Sequence, residues 1–218
     1  MRFIDDKSLE RLGFRKLLTR VETLSPYGKA KLKKLKNYLR GEEQLLEEEF
    51  VKMEVFMNFS EENKNLIRDI EGIIHRLKDI KTVVNNCLKE NILDDVDLFE
   101  IKAQALLMEE LNLLLKKLPE ELKDFDLESM EEMIDALDPD KDRLPTFYVY
   151  DSYSLGLKMV RDKKKDVEKR IFAAKSFEEV SQLKEERLEI LVEEEREELE
   201  VRKQLTSILL KKAEGFLK

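Results

Sequence analysis

The sequence lacks tryptophan and has one cysteine, one histidine, four prolines and six glycines among its 218 residues. So few turn-forming residues argue against a sheet-rich fold, because sheets of short strands need many turns. The lone cysteine, Cys87, excludes an internal disulfide and points to a reducing compartment. The lone histidine, His75, excludes zinc sites built on histidine pairs, and we expect it to face solvent.

Membrane, nucleotide and metal signals are also missing. No apolar run approaches the roughly 18 residues of a membrane-spanning helix, and residues 1–6 become acidic too early for a signal or transit peptide. We therefore expect a cytoplasmic protein with no membrane partner. Without a G-x-x-x-x-G-K-[ST] motif or inward-facing Glu-x-x-His pairs, we expect no catalytic residue, metal site or cofactor in this chain.

What the sequence does contain is typical of long, charged helices with narrow apolar seams, since 41% of the residues are charged and 42% hydrophobic. The most regular seam predicts one helix, capped by Ser60, as the spine of a helical bundle. Its apolar residues, at alternating spacings of four and three, are Leu66, Ile70, Ile73, Leu77, Ile80, Val84 and Cys87. The one strand-like segment, 147–150, is predicted to lie extended on this bundle.

Charge is unevenly distributed near the N-terminus. A first helix is predicted over residues 4–24, and Ser25-Pro26 begins a second that is rich in lysine. An acidic helix follows Gly41, so we expect a helical hairpin with complementary faces. The alternative is a phosphate-contacting stripe made of Lys29, Lys33, Lys36 and Arg40.

The longest helical signal lies between Gly156 and Gly215, where 58 residues contain neither glycine nor proline. Ser176 can cap a new helix and Glu179 can close a capping box, which predicts one fold-back. The predicted fold is all-α: a helical bundle core of residues 1–153 with a long projecting antiparallel helical hairpin, or lever, of residues 154–218. Its outgoing helix spans 154–174 and its returning helix 177–217. We expect it to pack at its root and tip and to be solvated in the middle.

Several short segments, taken in order, carry a resemblance to a known family. They are Leu12-Gly13-Phe14, the T-x-S-P-x-G turn from Thr23 to Gly28, Leu77 to Ile80, Asp97 to Lys102, Leu137-Asp138-Pro139 and Phe147 to Ser154. In this order they resemble the helical core and lever of MutS-family DNA mismatch repair ATPases. The mismatch-reading N-terminal domain of that family has no counterpart here, and its DNA clamp is missing or reduced to a short turn near Lys175.

The resemblance implies a core and lever that couple ATP-driven changes of a homodimer to sequence-independent contact with the DNA backbone. ATP and Mg would be bound by an ATPase domain expected after Lys218, so this chain would not itself be an enzyme. The candidate DNA-binding residues are Lys163, Lys164, Lys165, Lys169, Arg170 and Lys175. The acidic residues among them also fit an ordinary solvated face.

Two further interpretations compete with this one. A coiled-coil scaffold or adaptor with no DNA role would have the same composition, since charged helices with apolar seams serve both purposes. A helical metal enzyme is a weaker third candidate. The formal charge of −8 disfavours strong DNA binding by the chain as a whole, although a local basic stripe can still contact phosphates.

Overall fold

The computed structural model describes residues 10–34, 38–125 and 127–216, and within those ranges every regular element is helical. The all-α prediction is confirmed. In chain order the α-helices are α1 (Phe14–Leu18), α2 (Pro26–Leu32), α3 (Glu43–Glu62), α4 (Lys64–Arg76), α5 (Lys81–Leu88), α6 (Asp95–Leu115), α7 (Glu131–Leu137), α8 (Leu155–Ala173) and α9 (Phe177–Phe216). Short 3-10 helices span Glu120–Phe125 and Asp151–Tyr153.

The chain forms two compact units. The first consists of residues 1–79 and 107–128, and the second of residues 80–106 and 129–218. The predicted division between a core of residues 1–153 and a lever of residues 154–218 therefore falls within the second unit. It falls there because the first turn of α8 and the last turns of α9 share a core with residues that precede position 153.

The predicted spine helix is wrong in its start and its continuity. Helix α3 runs through Ser60, whose hydroxyl donates to the Met57 carbonyl oxygen at 2.8 Å instead of capping a new helix. Helix α4 ends at Arg76, and Leu77 takes an extended conformation with ψ of 128° before α5 begins at Lys81. An apolar period specifies which face of a helix is buried, but it does not specify whether one helix or two carry that face.

The seam instead serves both units. Ile70 and Ile73 are buried in the core of the first unit with Leu111, Leu118 and Leu122. From its second half, Cys87 is buried in the core of the second unit and Ile80 packs against that core. The buried residues of that core are Val83, Cys87, Leu93, Leu98, Ile101, Leu137, Val149, Leu157, Val201, Leu205 and Leu209. The chain passes from one core to the other between residues 79 and 80.

Three local predictions agree with the structure. The segment 147–150 has no helical structure and packs through Val149, 2% exposed, and Tyr150, 1% exposed, whereas Tyr148 is 54% exposed. Cys87 is buried as a small hydrophobic residue, and His75 is exposed. Burial raises the pKa of the Cys87 thiol, because the thiolate would lose its hydration.

The predictions for the two N-terminal helices are confirmed only in part. Residues 4–9 of the predicted first helix lie outside the described residues, and Gly13, at φ +67°, interrupts the rest, so that α1 covers only five residues. Ser25 caps α2 as expected, since its Oγ accepts from the Gly28 amide at 3.0 Å.

The ion pairs expected between the lysine-rich helix and the acidic helix are not formed in the described part of the chain. Lys29, Lys31, Lys33 and Lys34 all lack a carboxylate partner there. Lys36, which belonged to the alternative phosphate stripe, lies outside the described residues. The described residues therefore do not show the predicted complementary faces as ion pairs.

Candidate functional site: the α8–α9 hairpin

Helices α8 and α9 run antiparallel and are joined by residues 174–176. Their bounds lie within one residue of the predicted 154–174 and 177–217. Ser154 caps α8, since its Oγ accepts from the Leu157 amide at 3.3 Å, and Ser176 accepts from the Glu179 amide at 3.2 Å. The Glu179 carboxylate accepts from the Lys175 amide at 3.4 Å rather than from Ser176, so the predicted capping box is present in a shifted form.

The hairpin packs differently from the prediction of a packed root and tip with a solvated middle. Its root is buried as expected, because Leu157, Val201, Leu205 and Leu209 belong to the core of the second unit. Its middle is also packed, with Val160, Val167 and Ile190 forming a buried cluster of their own.

The tip is the exposed part. Phe172 is 94% and Phe177 is 88% exposed, on either side of the connecting residues. The prediction of a packed tip is wrong, since both rings are almost fully exposed. Between the two helices lies an open groove of about 410 Å³, lined by Glu168, Ile171, Lys184, Arg187 and Leu188.

One arginine ties the two helices together near the root. Arg161 Nη1 donates to the Val149 carbonyl oxygen at 2.7 Å and to Asp151 Oδ1 at 2.5 Å. Its Nε donates to Glu194 Oε1 at 3.1 Å, and its Nη2 donates to Glu198 Oε1 at 2.7 Å. The planar guanidinium thus holds α8, α9 and the segment before α8 in one arrangement.

The charge network continues into the body of the second unit. Arg202 donates to both carboxylate oxygens of Asp95, at 2.8 and 3.2 Å, and to Glu198 at 3.2 Å. Burial alone would raise the pKa of Glu194. The hydrogen bonds and charges of Lys164 and Arg161 outweigh burial and hold that pKa below its ordinary value. Glu194 is therefore charged and paired at neutral pH.

Most of the candidate DNA-binding side chains face carboxylates. Helix α8 carries seven basic and three acidic residues, whereas α9 carries seven basic and twelve acidic ones. The closest pairs are Lys164–Glu194 at 2.6 Å, Arg170–Glu186 at 3.1 Å, Lys165–Asp162 at 3.5 Å and Lys163–Glu193 at 3.8 Å. Of the six candidates, only Lys169 and Lys175 lack an ion-pair partner among the residues that the structure describes, and both are exposed.

A buried charge cluster in the second unit was missed by sequence reasoning. Lys102 is fully buried, and its Nζ donates to Asp138 Oδ1 at 2.9 Å and to the Tyr150 hydroxyl at 3.1 Å. Asp142 Oδ1 lies 3.6 Å from the same nitrogen. The second oxygen of Asp138 accepts from the Arg143 amide at 2.8 Å. The sequence signal for this cluster was a single lysine between the apolar residues Ile101 and Ala103. Its partners could not be inferred, because they lie 36 and 48 positions further along the chain.

Both Lys102 and Asp138 are charged in this cluster. Burial disfavours the charged ammonium of Lys102, but the hydrogen bonds to Asp138 and Tyr150 outweigh burial and raise the pKa of Lys102. Burial likewise opposes the charged form of Asp138, but Lys102 and the Arg143 amide outweigh it and lower the pKa of Asp138. A buried, fully paired cluster of this kind fixes the loop between α7 and α8 on α6.

In residues 10–34, 38–125 and 127–216 no three His, Cys, Asp or Glu side chains converge to hold a metal ion. Of the helices formed by those residues, none combines the length and apolar character needed to cross a membrane.

No protein-family model matches the chain, and neither a curated protein nor a solved structure matches it. The resemblance to the MutS family therefore rests on the ordered sequence motifs alone and stays a prediction.

Proposed function

We propose that the chain is the core and lever part of a MutS-related DNA repair or recombination ATPase of the cytoplasm, in which the α8–α9 hairpin couples its root to its tip. The observation that carries the proposal is the continuity of α9. Its 40 residues form one helix of about 60 Å. It begins at the exposed tip, and its residues Val201, Leu205 and Leu209 are buried in the core of the second unit.

The hairpin has the features of a stiff element. A single surface helix bends readily under load, but α8 supports α9 along a buried seam of Val160, Val167 and Ile190. The Arg161 contacts join that seam to the root at four acceptor atoms. A small shift at the root would therefore reach the tip as a displacement of the whole hairpin, since packed interfaces move as units.

Any contact with DNA is proposed to be to the backbone and independent of base sequence. Lys169 and Lys175 are the best candidates, because a phosphate at these positions does not compete with a carboxylate of the hairpin. Lys163, Lys164, Lys165 and Arg170 would contribute less, since each would first have to leave its acidic partner. ATP and Mg would belong to an ATPase domain of the full-length protein, which we propose acts as a homodimer.

Binding of the intact chain to fluorescein-labelled duplex DNA of random sequence tests the proposal. The double variant Lys169→Gln/Lys175→Gln should lose affinity by the amount expected for two phosphate contacts. The matched control, Lys163→Gln/Lys165→Gln, removes the same number of positive charges and should lose less. Equal losses of affinity in the two double variants would mean that Lys169 and Lys175 contribute no more to DNA binding than Lys163 and Lys165.

A scaffold or adaptor with no DNA role remains the second candidate. It is favoured by the ion pairing of the lever lysines, by the exposed rings of Phe172 and Phe177, and by the open groove of the hairpin. Exposed aromatic residues and grooves are common features of protein–protein contacts. DNA affinity that does not change with salt would favour the adaptor, whereas a G-x-x-x-x-G-K-[ST] motif in the reading frame downstream of Lys218 would favour the ATPase.

A further inference from the structure

Helix α3 of the first unit has two apolar faces, and within the described part of the chain only one of them joins a core. Val55 and Phe59 pack against the core that contains Ile70 and Ile73. The other face carries a second apolar stripe, at spacings of four, three and four, and none of the helix is fully buried. The residues of this α3 stripe are Leu46, Phe50, Met53 and Met57, of which the last three are 57%, 54% and 61% exposed.

The spacing of the α3 stripe is that of the a and d positions of a coiled coil. With Phe50 and Met57 at a, and Leu46 and Met53 at d, the e positions on one flank are Glu47, Glu54 and Glu61. All three glutamates are exposed, and in the described part of the chain none of them has a basic partner. On the other flank, Lys52 Nζ lies 3.7 Å from Glu49 Oε1, so the charge of Glu49 is balanced.

The acidic row of Glu47, Glu54 and Glu61 decides which kind of helix can cover the α3 stripe. Residues at e and g positions select partners by charge, because they face the flank of the neighbouring helix. Two copies of α3 pairing through the stripe would bring both glutamate rows to the same seam, and like charges at an interface cost several kcal/mol by general experience. A helix whose apolar seam is flanked by lysine or arginine meets complementary charge instead.

We propose that the α3 stripe is a docking surface for a basic amphipathic helix of a partner protein. The apolar seam of that helix would cover Phe50, Met53 and Met57, and its flanking cations would pair with Glu47, Glu54 and Glu61. Methionine suits such a surface, because its flexible side chain adapts to different apolar partners. This inference concerns the first unit and does not depend on the lever proposed for the second.

The test uses the intact chain and two labelled peptides, each about three heptads long. Both have leucine at a and d. One has lysine at e and g, and the matched peptide has glutamate there. Fluorescence anisotropy should show binding of the lysine peptide, with the glutamate peptide weaker by at least about tenfold.

Two variants separate the apolar and the charged parts of the surface. Phe50→Ser/Met53→Ser should abolish binding, and Glu47→Lys/Glu54→Lys/Glu61→Lys should reverse the preference in favour of the glutamate peptide. All five positions are exposed, so circular dichroism should show unchanged helix content. Because a reversal of preference is a gain of binding, loss of folding cannot imitate it.

Three results would overturn the proposal. The first is failure of the lysine peptide to bind the wild-type chain. The second is equal binding of both peptides, which would mean non-specific apolar contact. The third is a wild-type dimer in sedimentation that dissociates in Phe50→Ser/Met53→Ser, since the stripe would then be covered by a second copy.

Discussion

The buried pair of Lys102 and Asp138 offers the sharpest test of the fold, through the substitution Lys102→Met. Methionine keeps most of the length and apolar surface of lysine but removes the ammonium. Asp138, 1% exposed, would then keep only the Arg143 amide as a donor from the present cluster. Removing one partner of a buried ion pair costs about 3–5 kcal/mol, because the remaining charge is left uncompensated.

This cost should be visible in thermal unfolding followed by circular dichroism. At about 2–4 °C per kcal/mol for a chain of this size, the midpoint should fall by roughly 6–20 °C. The control is Arg76→Met, which breaks an ion pair with Glu110 that is shorter, at 2.7 Å, but has both side chains more than half exposed. Exposed pairs contribute about 0.2–1 kcal/mol, so the control should lose less than about 4 °C.

The pH dependence gives a second readout. In the wild type the lowered pKa of Asp138 contributes stability above the pKa of the unfolded chain, and that contribution is lost as the pH falls through the folded pKa. In Lys102→Met, burial without the ammonium should raise the pKa of Asp138. The stability difference between the two proteins should therefore shrink as the pH falls from about 7 towards about 4. A midpoint change at about pH 7 no larger than that of Arg76→Met would refute the reasoning.

Three other predictions concern the second unit. Arg161→Met should destabilise the chain by about 1.5–3 kcal/mol in urea unfolding, because it removes four hydrogen bonds and leaves the Val149 carbonyl oxygen and Asp151 without that donor; Lys165→Met should change it by less than about 0.5 kcal/mol. Cys87 should react with a thiol reagent only after unfolding, since it is buried and the pKa of its thiol is raised; rapid labelling of the native chain would contradict its position. Glu195→Pro should cost about 3 kcal/mol by interrupting α9, whereas Glu195→Ala should be nearly neutral in the same urea titration.

The parts of the fold that were predictable are those encoded locally. Ser154 and Ser176 cap α8 and α9 through contacts three residues away, so the hairpin bounds could be inferred from spacing alone. The break between Arg76 and Lys81 could not be inferred, because the apolar period continues across it while its two halves enter different cores. The apolar period predicts which residues are buried. It does not predict in which core they are buried, because that depends on distant parts of the chain.

The candidate site divides in the same way. The cationic composition of α8 was evident from the sequence, but the pairing of Lys164 with Glu194 depends on the register of the hairpin. The Arg161 contacts join atoms between 10 and 37 positions apart. The exposed tip was mispredicted because Phe172 and Phe177 are apolar residues that the connection leaves uncovered. Long-range electrostatics and the exposure of apolar groups both require coordinates.

The most direct test of the proposed lever is the salt dependence of duplex DNA binding by the intact chain between about 50 and 200 mM salt. If Lys169 and Lys175 contact phosphates, the logarithm of the affinity should fall with the logarithm of the salt concentration with a slope near −2, about 0.9 per contact. That slope should disappear in Lys169→Gln/Lys175→Gln. A wild-type affinity that does not respond to salt, or no affinity at all, would contradict a DNA-contacting lever.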